Sequence, residues 1–569
     1  LNAEVPHFRA RWPTVVFLGT IAALVVARVL LTLHTPFYAL LEPHDETLYV
    51  VRAIHLIRGE DMGPYDATVL IKYPGFSLWL AGLQLLGLPF ASASWVMYVA
   101  AGLYFAAALR ACGMTRPLIV LVLFLFLLDP VLGGVDWNRA YREPLATTIL
   151  TIFLGAALFV GARLAQRAPY RLHLGILAVA LGAGLIIREE DRLLWVLYGL
   201  VALGILLAVG WRPAVVDRRR VVRIGGFLLT PVVAALLTTN AVRLAVAHWY
   251  GAPIVHELSE GEFPLLLGAI RSVDSGRDNR LVMAPQDTLR SLKALVPDFA
   301  PVVDLLPAPG PGTLSCRLQG VCSEISNGWM PYFIKDAAWQ AGLTPSLIQG
   351  QRYFGRIRQQ IEEACAAGKL KCRPRGDGFV PSWEWKWTRA YVGQAARLTR
   401  MLLLPWPGFD GEHRSGLALP ADLLDVYREV LLRTDFETPR PPAAGNLQAV
   451  TLGTHSTPAL LASWALRLLG CFLLLGSVPA LVYLWICLRA SDRPSWLLIA
   501  TGLYAYSALR LAALAYLSVF FGPFESRIVF TTHITLLLFA PLLVLGAWRA
   551  YRFGEAGTVS DAGEPGGSA

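Results

Sequence analysis

Residues Glu42–Gly75 read EPHDETLYVVRAIHLIRGEDMGPYDATVLIKYPG. An apolar run, Val15 to Leu33, precedes this stretch, and a second apolar run begins at Pro74. His44, Asp45 and Glu46 therefore fall where the first run leaves a bilayer, and Lys72 falls where the chain returns to it. An acidic pair at a membrane surface, followed by a lysine at the next re-entry, suits an anionic lipid headgroup. The side of the membrane on which the stretch lies decides how the rest of the chain is read.

The 569 residues are 55% hydrophobic and only 16% charged, with a mean hydropathy of +0.51. A soluble chain of this length carries more charge, so an α-helical polytopic membrane protein is expected. Val15 to Leu33 is too long for the core of a signal peptide and no small-residue cleavage site follows it, so it reads as a retained signal-anchor helix. The formal charge of +10 is spread over short loops rather than gathered in one patch. That distribution argues for membrane topology and against a nucleic-acid partner.

About ten spanning helices are expected, near 14–34, 92–109, 117–133, 144–162, 172–188, 193–210, 225–247, 459–488, 495–519 and 528–548. The short loops holding Arg110 and Arg116, Arg163 to Arg171, Arg212 to Arg223, and Arg489 and Arg493 then fall on one side. Arg9 and Arg11 before the first helix, and Arg549 and Arg552 after the last, fall there too. The positive-inside rule makes that side the cytoplasm and places both termini in it, in a bacterial-type cytoplasmic (inner) membrane. Pro74 to Phe90 runs into the next helix with no turn long enough for a second crossing, and it reads as a surface helix rather than a span.

Four divisions follow. Residues 1–247 form a transmembrane module with an outer first loop at 35–91, and residues 248–455 form an extracytoplasmic soluble domain of mixed structure. Residues 456–552 are the last three helices, and the Gly-, Ala-, Glu- and Ser-rich segment 553–569 is expected to be disordered. Within the soluble domain a helix is expected from Thr344-Pro345 to the C-cap Gly368. Of the seven cysteines, Cys316, Cys322, Cys365 and Cys372 lie in this domain. Their close spacing suggests the local disulfides Cys316–Cys322 and Cys365–Cys372, although other connectivities and a zinc site are alternatives. Cys112, Cys471 and Cys487 lie in or beside apolar runs and read as small buried hydrophobes.

Ionisable residues gather at the expected outer face. Asp136, Arg139, Arg142 and Glu143 precede one helix, Arg188, Glu189, Glu190, Asp191 and Arg192 follow another, and Glu525 and Arg527 precede the last. Arg28, Arg243 and Arg510 lie inside spans, where a charge usually faces a partner or a cavity; snorkelling is the alternative for Arg28 and Arg243. A sugar carried on a polyprenyl phosphate has its phosphate at headgroup level. Its transfer needs cations for the developing negative charge and a carboxylate for the acceptor's proton. Lys72, Arg142 and Arg188 suit the first role, with Arg28 and Arg510 as further lipid-phosphate ligands. Asp45, with Glu46 and Glu143 behind it, suits the second. In PSWEWKWTRAY, Trp383, Trp385 and Trp387 alternate, which suits packing on one face of a strand or stacking on a sugar.

These residues resemble the GT-C class of polyprenyl-phosphate-dependent glycosyltransferases, in particular the branch of aminoarabinose transferase and the protein O-mannosyltransferases. DETLY (Asp45, Glu46, Tyr49), Gly59, KYPGFSLWLAGLQLLG from Lys72, REPLATTIL at Arg142–Leu150 and LGAGLIIR closing on Arg188 are similar to that branch's successive motifs. The resemblance covers roughly residues 1–200. It implies that Asp45 is the base or a metal-proximal acid and that Lys72 and Arg188 contact the lipid phosphate. Ile71, Gly75 and Glu143 depart from the branch, so any divalent metal would draw on Asp45 with His44 or Glu189. The implied activity is transfer of a sugar from a polyprenyl-phosphate donor to a cell-envelope glycan, lipid or protein acceptor. A flippase or exporter of lipid-linked sugars, or a non-catalytic envelope protein, is the alternative.

Overall fold

A computed structural model describes residues 13–33, 35–39, 44–188, 192–208, 218–276, 280–373, 380, 383–405, 421–436, 457–488, 494–524 and 527–559. The chain is a polytopic α-helical membrane protein. Its first half runs α1 (Thr14–Leu33), α2 (Glu46–Ile57), α3 (Gly75–Leu85), α4 (Phe90–Ala111), α5 (Arg116–Leu128), α6 (Arg142–Ala165), α7 (Arg171–Leu185), α8 (Leu194–Ala208) and α9 (Arg218–Tyr250). The middle holds α10 (Glu262–Ser272), α11 (Gln286–Leu295), α12 (Ala300–Leu305), α13 (Leu314–Gln319), α14 (Met330–Gln340), α15 (Leu347–Ala366), α16 (Thr388–Leu403) and α17 (Ala421–Leu431). The chain closes with α18 (Thr457–Cys487), α19 (Ser495–Phe521) and α20 (Arg527–Val559).

Among the described residues eight helices are long and apolar enough to cross a membrane: α1, α4, α5 with its following turn, α6, α9, α18, α19 and α20. The two other expected spans are α7 and α8, of 15 residues each. At 1.5 Å per residue each reaches roughly 22 Å, short of a hydrocarbon core of about 30 Å. The cause is local, because the apolar run of α7 gives way to the charges beginning at Arg188. Helix α3 has 11 residues, too few to span, and its Phe76, Leu80 and Leu83 are buried in one cluster with residues of α2 and α17.

Residues of α4–α9 and α18–α20 share one large apolar core, and Leu398 and Leu402 of α16 are buried in it. A second core belongs to the middle region, with Phe263 and Leu266 of α10 packed on Phe354 and Ile357 of α15. Helix α15 shows why: Leu347, Phe354, Ile357, Ile361 and Ala364 recur at helical spacing on its buried face. Its N-cap is Ser346, whose hydroxyl accepts from the Gln349 N–H, so it starts later than Thr344-Pro345. Gly368 follows it with φ +68°, as a helix stop requires. The disulfides are Cys316–Cys322 and Cys365–Cys372. The middle region is helical where mixed structure was expected; an isolated Val273–Cys372 bridge pairs its backbone.

One further expectation is corrected. Trp385–Trp387 is a 3-10 turn entering α16, not a strand. Trp387 is buried on Phe520, Trp383 packs on Tyr516, and Trp385 points away into the open. Helix α20 runs on to Val559, and residues 560–569 of the expected tail lie outside the described residues.

Candidate functional site

Helix α2 starts at the acidic pair. Asp45 is its N-cap residue, but its carboxylate makes no capping bond. It turns instead between two cations, with Oδ1 at 3.2 Å from Lys72 Nζ and Oδ2 at 3.3 Å from Arg527 Nη2. Lys72 is held there by the fold of its own loop. Asp66 accepts from the N–H groups of Thr68 and Val69, and Arg52 of α2 donates to the carbonyls of Thr68 and Lys72. Glu46, in the first turn, is fully buried.

Gly75 joins this loop to α7 by donating its N–H to the Ile186 carbonyl at 2.9 Å. A Cβ on Gly75 would stand 2.4 Å from that oxygen, so only glycine permits the approach. Two residues past Ile186, Arg188 pairs with Glu143 at 3.3 Å, and both side chains are buried. Tyr141 bridges the two ion pairs. The Arg139 and Arg527 guanidiniums lie 4.4 and 4.6 Å from its ring centroid, in cation–π geometry. Its hydroxyl is within electrostatic reach of Asp45, Glu143 and Arg142. Burial pushes that phenol well above its usual range, so it stays protonated.

Burial opposes ionisation of Asp45, yet Lys72, Arg527, Arg142 and Arg139 outweigh it and hold the carboxyl well below the usual carboxylate range. His44 lies against Trp329 and Tyr332, with ring centroids 6.1 and 5.1 Å away. The middle region therefore closes over the acidic pair. Burial lowers the His44 pKa, so the ring is neutral at pH 7. Its Nδ1 is buried without a hydrogen bond among the described residues.

The structure thus gathers Asp45, Lys72, Arg142, Glu143 and Arg188 into one cluster, with His44 and Glu46 at its edge. Arg510 stands behind it, donating to Thr532 and to the Ile528 carbonyl at 3.0 Å. Arg188 and Arg510 both line an apolar crevice with Ile149, Phe153 and Gly184. Its water-accessible space is about 20 Å³, enough for a water molecule and no more. Arg28 stands apart, with its guanidinium 4.0 Å from the Trp95 centroid and Nε bonded to Thr32. There it belongs with Asp129, whose carboxylate lies 3.1 Å from His533 Nε2.

For a divalent metal the described residues do not fit: no group of three or more His, Cys, Asp or Glu side chains comes together among them. Asp45 faces two cations that would repel a third. Glu189 lies outside the described residues. The sequence placed Arg527 at the outer face without naming its partner, and it did not single out Tyr141. Arg527 is 482 positions from Asp45, and Tyr141 carries no motif signal.

No family model matches the chain, and no curated protein matches it. Two solved structures of ArnT from Cupriavidus metallidurans are similar to it. The one bound to undecaprenyl phosphate shares 14% identity, with 93% of this chain and 78% of that chain covered, at a TM-score of 0.31. The apo form shares 12% identity over 94% and 77%, at a TM-score of 0.30. At these scores the likeness adds nothing to what the residues themselves carry.

Proposed function

We propose that this chain is a membrane glycosyltransferase. It moves a sugar from a polyprenyl-phosphate donor to a glycan, lipid or protein acceptor at the extracytoplasmic face of a bacterial-type cytoplasmic membrane. The observation that carries this reading is the bracketing of Asp45 by Lys72 and Arg527, next to the Glu143–Arg188 pair. Cations outnumber carboxylates there, and the cluster sits where apolar helices end, as a lipid-borne phosphate requires. In the reaction the bond from the anomeric carbon to the phosphate oxygen breaks, and a bond from that carbon to the acceptor heteroatom forms. The electron pair leaves with the phosphate, whose charge Lys72, Arg142 and Arg188 offset.

The acceptor's proton goes to Asp45. In the resting cluster Asp45 is a poor base, because Lys72 and, after it, Arg527, Arg142 and Arg139 stabilise its charge. When the donor phosphate draws Lys72 away, Asp45 loses the foremost of these stabilising charges and its basicity rises, so the proton acceptor is switched on by the donor. The motifs of the first 200 residues, which resemble the GT-C class, support the same assignment. The test is reconstitution in liposomes with a panel of labelled polyprenyl-phosphate sugars. Asp45→Asn should lower transfer by about 10²–10⁴-fold and Lys72→Ala by about 10²-fold or more. Transfer by both variants at the wild-type rate, or none from any donor by the wild type, removes the assignment.

A further inference from the structure

A second cavity lies away from the ionic cluster, between the first loop, the end of α9 and the start of α15. It measures about 400 Å³ and is lined by His55, Glu60, Asp61, Tyr65, Trp249 and Tyr250, with Ser346 at its edge. That volume is within the range of small-molecule sites and is equivalent to roughly a dozen waters.

Its walls are specific in chemistry. Tyr65 and Tyr250 meet edge to face at 6.2 Å, and each spends its hydroxyl on the protein: Tyr65 on Glu257, Tyr250 on the Gly63 carbonyl at 2.8 Å. They therefore present ring surface rather than polar groups. Glu60 holds His55 Nδ1 at 2.7 Å. The Asp61 carboxylate and the Trp249 indole N–H have no hydrogen bond or ion pair among the described residues. No lysine or arginine lines the space. The cavity thus offers aromatic faces for the apolar C–H face of a pyranose, and carboxylates and an N–H for its hydroxyls. Its carboxylates repel anions.

We infer that this cavity is a binding site for a neutral or amino saccharide, with Trp249 stacking on the ring and Asp61 and Glu60 accepting from its hydroxyl or ammonium groups. The site stands whether or not the ionic cluster transfers a sugar, because its recognition uses none of those residues.

The test is saturation-transfer NMR on the full chain in lipid nanodiscs, with methyl β-glucopyranoside, methyl β-glucosaminide and methyl β-glucuronide as probes. The first two should show saturable transfer, and the glucuronide should be at least tenfold weaker. Asp61→Ala and Trp249→Ala should each weaken binding of the neutral glycoside by tenfold or more, and Trp249→Phe should restore most of it. A melting curve identifies any variant that has not folded; if Trp249→Ala is one, Asp61→Ala carries the comparison. Equal binding of the glucuronide, wild-type binding by folded Asp61→Ala or Trp249→Ala, or no transfer to any probe overturns the site. None of these readouts depends on catalysis, so this site and the transfer reading fail separately.

Discussion

Lys335→Met attacks the joint that seats the middle region on the first loop. Glu257 is fully buried and pairs with the buried Lys335 of α14. Its carboxylate also accepts from the Tyr65 hydroxyl at 3.0 and 3.2 Å and from Gln351 of α15 at 3.3 Å. Its backbone N–H reaches the Leu70 carbonyl at 2.8 Å, two residues before Lys72. Burial, and then the adjacent Glu257 charge, raise the Tyr65 pKa far above the usual range, so that hydroxyl remains a donor. Removing one member of a buried ion pair costs about 3–5 kcal/mol, because the other charge is left uncompensated. Tyr65 and Gln351 still solvate the orphaned carboxylate, which puts the cost near the lower end, at about 3 kcal/mol. In a folding unit of 150–250 residues that lowers the melting temperature by roughly 6–12 °C. Thermal unfolding of the purified chain in detergent, followed by tryptophan fluorescence, measures it. The double variant Glu257→Gln/Lys335→Met removes both charges and should recover more than half of the loss. A single variant that melts within about 2 °C of wild type, or a double variant worse than the single, refutes the reasoning.

Other consequences are simpler to state. Gly75→Ala sets a Cβ 2.4 Å from the Ile186 carbonyl, so α3 must move from α7. It should cost about 1–3 kcal/mol in melting and should also lower transfer, by separating Lys72 from Arg188. Because burial lowers the folded-state pKa of His44 below its ordinary 6.5, the stability it contributes is full above that value and is lost as pH falls below it. Melting temperature should therefore drop from pH 7 to pH 5, and His44→Gln should flatten part of that slope. Alkylation of the denatured, unreduced chain should label only Cys112, Cys471 and Cys487 of the seven cysteines, with all seven labelled after reduction.

Legibility followed sequence distance. The apolar runs predicted the long helices within a few residues, apart from the start of α9 and the end of α20, since each needs only its own composition to be a span. The cysteine pairs were readable because they are six and seven positions apart, a separation at which a loop closes at little entropic cost. Asp45 and Lys72 were readable as neighbours because one loop joins them. Depth along a helix says nothing about azimuth: Arg28 lies toward the expected outer side, and its helix turns it to Trp95. The WEWKW alternation suggested a strand, but packing against Phe520 and Tyr516 overrode it.

The sequence by itself determined a helical membrane chain and the helices that carry its ionisable residues, and it favoured the local pairing of the middle region's cysteines. These depend on hydropathy and on contacts between near neighbours. Only the tertiary structure decided that Arg527 completes the Asp45–Lys72 pair, that Tyr141 joins it to Glu143–Arg188, and that Trp329 and Tyr332 cover His44. The Arg527 and Trp329 contacts close loops of hundreds of residues, and all these partners are chosen by how the helices pack, which no local pattern encodes.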